Sequence, residues 1–272
     1  MTGASLPERL CTIDTASTVM AGDIMMPFAF DEVYGRQVGE GLRDPAVHIW
    51  RHQKAFVLGS RDWKLPRVQE AVRWLQAQGY EVTVRNSGGA AVPLDPGVVN
   101  LSLILPTKPG DLDLQRHFVR MAELIRQCLG QWSSRVDTGE VGGSYCPGEF
   151  DVSIDGKKFC GIAQRRLTRA VIIQAFVLAE GSGEERGKLV KAFYERAAGD
   201  SSEADHPVVE PTSMSSLAEL LGESSAESFV ALIRQQLDRH GLVYEHRDYA
   251  SFDLEGVQKT ADEYRRRYHV HV

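Results

Sequence analysis

Cys146 is the residue in this sequence best placed to act as a nucleophile. It lies in Ser144-Tyr145-Cys146-Pro147-Gly148-Glu149, a stretch rich in the small and rigid residues of a loop. A cysteine attacks as its thiolate, and a loop can offer the part-exposed, electropositive surroundings that a thiolate needs. Cys128, beside Leu129, and Cys160, inside an apolar alternating stretch, read as inert packing residues; Cys11 sits in an unpatterned segment. No two cysteines form a CxxC pair, and none of the 8 histidines stands at a metal-ligand spacing from a cysteine, so no metal is expected. Lys157 and Lys158 follow an Asp155-Gly156 turn. In a strand they face opposite sides, so one of them can reach a pocket while the other is solvated. Arg85-Asn86-Ser87-Gly88-Gly89-Ala90 supplies two adjacent glycines that let backbone approach a ligand, but it lacks the Lys and Ser/Thr of a phosphate loop and the GxGxxG spacing. By pattern alone it is a tight turn.

The elements around these residues alternate between helix and strand. Pro27 to about Val38 reads as a first helix. Val47–Trp50 and Ala55–Leu58 read as strands joined in a hairpin across Arg51–Lys54. Val68, Ala71, Val72 and Leu75 recur at helical spacing between Pro66 and Gly79, and Tyr80–Val84 alternates as a strand. Val98–Leu105 reads as a buried strand. Leu114, Phe118, Met121, Ala122, Ile125 and Leu129 mark a long amphipathic helix within Leu112–Trp132. Glu149–Ile154, Lys158–Ile162 and Ala170–Val177 form a predicted meander, with Asp155-Gly156 its strongest turn signal. The predicted organisation is an extension over 1–25, a catalytic core over 26–198, a Ser/Glu/Pro-rich surface linker over 199–216, and a helical part over 217–272 packed on the same domain.

With 272 residues, 43% hydrophobic and 25% charged, the chain can bury a core without disulfide or metal staples. Its net charge of −6 and the absence of a long basic run argue against nucleic acid as a partner. No apolar stretch reaches the roughly 20 residues of a membrane-spanning helix. The N-terminus lacks the pattern of a secretory signal, so a cytoplasmic location is expected.

Two motifs taken together resemble the biotin/lipoate protein ligase and octanoyltransferase superfamily. They are Arg85-Asn86-Ser87-Gly88-Gly89-Ala90-Ala91-Val92-Pro93-Leu94-Asp95-Pro96-Gly97 with Asn100-Leu101, and Gly148-Glu149-Phe150-Asp151-Val152-Ser153-Ile154-Asp155-Gly156-Lys157-Lys158-Phe159-Cys160-Gly161-Ile162-Ala163-Gln164-Arg165-Arg166. The similarity spans roughly residues 25 to 245, including Ile49-Trp50 and Leu58–Asp62. It implies an α/β (α+β) fold with a mixed central sheet flanked by helices. ATP-dependent ligases of the superfamily usually carry a third Gly and a His where this chain has Ala90 and Leu94. Cys146 before Glu-Phe-Asp resembles instead the octanoyl-[glycine cleavage H protein]:protein N-octanoyltransferase branch. Cys160 departs from the small residue expected at its position.

That resemblance implies an amidotransferase with no cofactor, moving octanoyl from a lysine of the glycine cleavage H protein to a lysine of lipoyl domains of 2-oxoacid dehydrogenases. Cys146 would carry the group as a thioester, and the family's lysine corresponds to Lys158, just before Phe159-Cys160-Gly161. Its ammonium would stabilise the thiolate or the oxyanion. Arg85, Ser87, Gly88, Gly89, Ala90 and Gly161 would bind substrate, and strands at Val92 and Leu101 would wall the acyl tail. Burying an eight-carbon chain is worth roughly 5 kcal/mol. Alternatives are an octanoyltransferase drawing on acyl carrier protein, an ATP-dependent lipoate ligase, and a non-catalytic lipoyl-domain-binding module.

Overall fold

A computed structural model describes residues 6–111, 113–199, 205–222, 224–240, 242–246 and 248–268. In chain order the elements are β1 (Leu10–Asp14), α1 (Met25–Gly39), β2 (Ala46–Trp50), β3 (Ala55–Leu58), α2 (Val68–Ala77), β4 (Glu81–Val84), β5 (Val92–Leu94), β6 (Val98–Pro106) and α3 (Gln115–Leu129). They continue as β7 (Asp137–Thr138), β8 (Val152–Ile154), β9 (Lys157–Arg166), β10 (Ala170–Leu178), α4 (Gly183–Ala198), α5 (Leu217–Leu221), α6 (Ala226–Asp238), β11 (Leu242–His246) and α7 (Leu254–Tyr268).

An eight-stranded sheet runs in the order β11-β1-β2-β6-β10-β9-β8-β7, and a three-stranded sheet in the order β4-β3-β5. The large sheet is mixed: β1 is parallel to both β11 and β2, whereas β6, β10, β9 and β8 pair antiparallel. Its two faces feed two cores. Ile104, Ile172 and Phe176 join the helix α1 and the small sheet, while Leu103, Val171 and Ile173 join α3 and α6. β6 is covered on both faces, so Val98–Leu105 is buried throughout; Asn100 and Ser102 are its two polar residues and share one face.

The meander of β8, β9 and β10 forms as predicted, and Asp155 (φ +50°) and Gly156 (φ +75°) make the turn of the first hairpin. The hairpin expected between Val47–Trp50 and Ala55–Leu58 does not form, because β2 and β3 belong to different sheets. Arg51 explains the failure. It is a crossing point rather than a turn residue, its side chain donating to the carbonyls of Ala16 and Pro96 and pairing with Glu227.

Residues 10–14, expected within an extension, form β1 inside the large sheet. Their strand signal is hidden because all five are buried, Thr12 and Asp14 included, with Asp14 neutralised by Arg234. The described part of the stretch expected as a surface linker is likewise packed down. Val209, Pro211 and Met214 are buried, the Glu210 amide donates to Gly143, and the Ser215 amide donates to Lys158. Beyond it, β11 adds a strand to what reads in sequence as a helical tail, and α7 lies against α1.

Candidate active site

The Cys146 loop enters the core from between β7 and β8. Cys146 takes φ +48°, a left-handed conformation rare outside glycine, and is 8% exposed. Its Sγ receives two donors. The Ala90 amide lies at 3.2 Å and Arg85 Nη2 at 3.3 Å. The same guanidinium donates from Nε to the Gly88 carbonyl at 3.0 Å and from Nη2 to the Ala90 carbonyl at 2.7 Å, so Arg85 shapes the glycine turn and touches the sulfur at once. A guanidinium and an amide N–H therefore face the one sulfur.

The glycine turn is fixed from behind. Tyr194 Oη accepts from the Ala91 amide at 3.1 Å and donates to Asp62 Oδ1 at 2.9 Å, while Asp62 Oδ2 accepts from the Gly59 amide at 2.7 Å. Burial pushes the Asp62 carboxyl upward against these hydrogen bonds. Gly59 has no room for a side chain, since a Cβ there would strike the Gly89 carbonyl. Gly89, at φ +97°, faces Arg85 and the Cys146 sulfur from the other side.

Strand alternation separates the two lysines. Lys157 is exposed and donates to the Thr212 carbonyl at 2.6 Å, whereas Lys158 is fully buried. The Lys158 Nζ reaches the Cys146 carbonyl at 2.7 Å, Asp151 Oδ1 at 2.9 Å and the Tyr145 carbonyl at 3.0 Å. Ser144 Oγ, at 3.5 Å, is a fourth and longer contact. Burial raises the Asp151 carboxyl, and the charge of Lys158 opposes that rise. The ammonium therefore holds the backbone of the Cys146 loop, and the cation on the sulfur is Arg85, a division of labour that differs from the expected contact between Lys158 and the thiolate.

Beside the sulfur lies a cleft enclosing about 460 Å³, part of it open to solvent, and lined by Arg85, Ser87, Cys146 and Gly161 together with an apolar wall that includes Val92 and Leu101. Ser87 is buried with an unpartnered Oγ, and Gly88 is exposed at the rim. A Cβ on Gly161 would stand 2.5 Å from the Phe176 ring, so glycine keeps this part of the cleft passable. All eight residues singled out in the sequence thus gather at one place. Those that sequence reasoning missed are Asp62, Tyr194 and Asp151, which act on the site through other residues.

The remaining thiols are elsewhere. Cys160 is fully buried in the core beneath α3, and burial pushes its thiol well up; the Cys128 thiol is pushed up to about 12 for the same reason. Among the described residues no group of three or more His, Cys, Asp or Glu is arranged to hold a metal, and no helix is long and apolar enough to cross a membrane.

A mixed sheet with a glycine turn and a buried lysine beside an apolar cleft defines the lipoate-ligase class of fold. Residues 23–238 match the lipoyl protein ligase A/B catalytic domain, and the chain belongs to that family. It is 42% identical over 231 residues to the octanoyl-[GcvH]:protein N-octanoyltransferase of Anoxybacillus flavithermus, covering 84% of this chain and 83% of that one. It is 38% identical over 211 residues to the lipoyl-[GcvH]:protein N-lipoyltransferase of Listeria monocytogenes, covering 77% and 76%. In fold it resembles a lipoate-protein ligase A bound with ATP, with a TM-score of 0.67 at 19% identity over 100% of this chain and 97% of that one.

Proposed function

We propose that this chain is an acyltransferase of lipoate assembly that moves octanoyl between lysines of carrier proteins through a Cys146 thioester. The donor in this reading is octanoylated glycine cleavage H protein and the acceptor a lipoyl domain of a 2-oxoacid dehydrogenase. The observation that carries it is a cysteine sulfur, held by Arg85 Nη2 and the Ala90 amide, beside an apolar cleft. The names of its relatives supply the acyl group and the donor.

In the first half-reaction the Cys146 thiolate attacks the octanoyl-lysine carbonyl. A carbon–sulfur bond forms, the carbon–nitrogen bond breaks, and the donor lysine leaves as an amine after taking up a proton. Charge on the carbonyl oxygen develops two bonds from a sulfur that already faces a guanidinium and an amide N–H, which suits its stabilisation. In the second half-reaction the acceptor amine attacks the thioester and loses a proton, restoring an amide and the thiolate. Lys158 contributes by holding the Cys146 and Tyr145 carbonyls, and so the direction from which the sulfur attacks.

An amide is broken and an amide is made, so the overall equilibrium constant lies near unity and no nucleotide is consumed. The test is intact mass measurement of chain, octanoyl-H protein and apo lipoyl domain in nucleotide-free buffer. Octanoyl should appear on Cys146 and then on the lipoyl domain, and the reverse reaction should run. Transfer only from octanoyl-acyl carrier protein, or an absolute need for ATP, would overturn the assignment.

A further inference from the structure

Two polar residues of the cleft wall, Ser102 and Gln174, belong to one hydrogen-bonded set. Asp31 on α1 is 0% exposed and meets three partners: His48 Nδ1 at 2.8 Å, Ser102 Oγ at 2.5 Å and Gln174 Nε2 at 2.9 Å. His48 Nε2 in turn meets the Tyr249 hydroxyl at 2.8 Å. Ser102 and Gln174 line the cleft, and Gln174 Oε1 is buried with no hydrogen-bond partner. The acyl-transfer chemistry proposed above uses none of these groups.

Sheet register gives the depth. Gly161, Phe176 and Asn100 occupy one rung across β9, β10 and β6; Ala163, Gln174 and Ser102 occupy the rung two residues farther on. At roughly 3.3 Å per residue the second rung stands about 7 Å beyond the first. Lys158 and the Cys146 loop flank the first rung, since Lys158 Cε lies 3.3 Å from where a Gly161 Cβ would be. An extended chain advances about 1.2 Å per bond, so the tail of an octanoyl group reaches roughly 8 Å past its carbonyl. At that distance the cleft wall presents the partly buried Gln174.

We infer that Gln174, pinned by Asp31, is the gauge that limits acyl length at this site to about eight carbons. The inference rests on the acyl-transfer reading and assigns its chain-length specificity. Two further methylenes would have to lie against the amide or displace it from Asp31, leaving a buried carboxylate short of a donor. Removing the amide opens depth; replacing it with an apolar group of similar length does not.

Straight-chain acyl thioesters of N-acetylcysteamine test this without any carrier protein. The Cys146 sulfur forms the new carbon–sulfur bond, the donor's breaks, and N-acetylcysteamine leaves as a thiol, so labelling is read by intact mass. Wild-type labelling should fall at least tenfold from octanoyl to decanoyl. Gln174→Ala should raise the decanoyl-to-octanoyl ratio at least tenfold, and Gln174→Leu should leave that ratio unchanged. A flat wild-type profile, an unchanged ratio in Gln174→Ala, or an equal rise in both variants would overturn the inference. If Gln174→Ala does not fold, Gln174→Ser, which also shortens the side chain, carries the same expectation and the same contrary outcome. Failure of every chain length to label wild-type Cys146 would instead remove the acyl-transfer reading itself.

Discussion

At the residue scale, four cysteines in one chain have very different surroundings. Cys146 has a cation and an amide at its sulfur, whereas burial raises the thiols of Cys128 and Cys160 far above neutrality. Limiting iodoacetamide at pH 8 should therefore modify Cys146 first, read by peptide mapping; prior modification at Cys128 or Cys160 would contradict the geometry. Cys146→Ala should abolish octanoyl transfer, and Cys160→Ala should leave it nearly intact. Lys158 carries a different expectation. Removing it strands the Asp151 carboxyl in the core, so Lys158→Ala should cost about 3 to 5 kcal/mol in urea unfolding as well as activity. Lys158→Ala combined with Asp151→Asn should recover part of the stability and none of the activity, whereas Lys157→Ala should change neither. An unfolding midpoint for Lys158→Ala equal to that of the wild type would refute the buried pair.

At the scale of elements, the glycine turn depends on what stands on each side of it. Gly88 is open, with nothing near a would-be Cβ, while Gly89 combines φ +97° with close approach to Arg85 and Cys146. Gly89→Ala should lower transfer by about 10²-fold through displacement of the sulfur's donors. Gly88→Ala should have a small effect, and equal losses would show that the two glycines are not distinguished in this way. Much of this region is legible in sequence, because its signals are local. The Asp155-Gly156 turn sets the β8–β9 hairpin, and strand alternation alone sends Lys157 out and Lys158 in. What stays hidden is long-range. Arg85 and Cys146 are 61 residues apart, and their contact depends on two loops meeting across the sheets. Arg51–Lys54 looks like a turn because it is polar, yet Arg51 is buried by partners from three other segments. Asp31 and Gln174 look like ordinary surface residues of a helix and a strand until the fold closes around them.

At the scale of the whole molecule, a net charge of −6 conceals a positive corner at the start of α3. His117 is buried there, with Arg116, Arg120 and Arg166 around it and Asp111 as the opposing charge, and its pKa is lowered to about 4 by burial first and by the arginines after it. The folded chain thus holds His117 neutral in a pH range where the unfolded chain protonates it. The unfolded state binds the extra proton, so stability from this residue is complete above about pH 6.5 and declines as pH falls toward 4. His117→Gln removes the titration. Between pH 7.5 and 5 the wild type should lose about 1 to 2 kcal/mol more than this variant, less than the full shift because the arginines are partly solvated. Urea unfolding at the two pH values measures the difference directly. Parallel losses in wild type and His117→Gln would mean that the acid sensitivity of the fold arises at other groups.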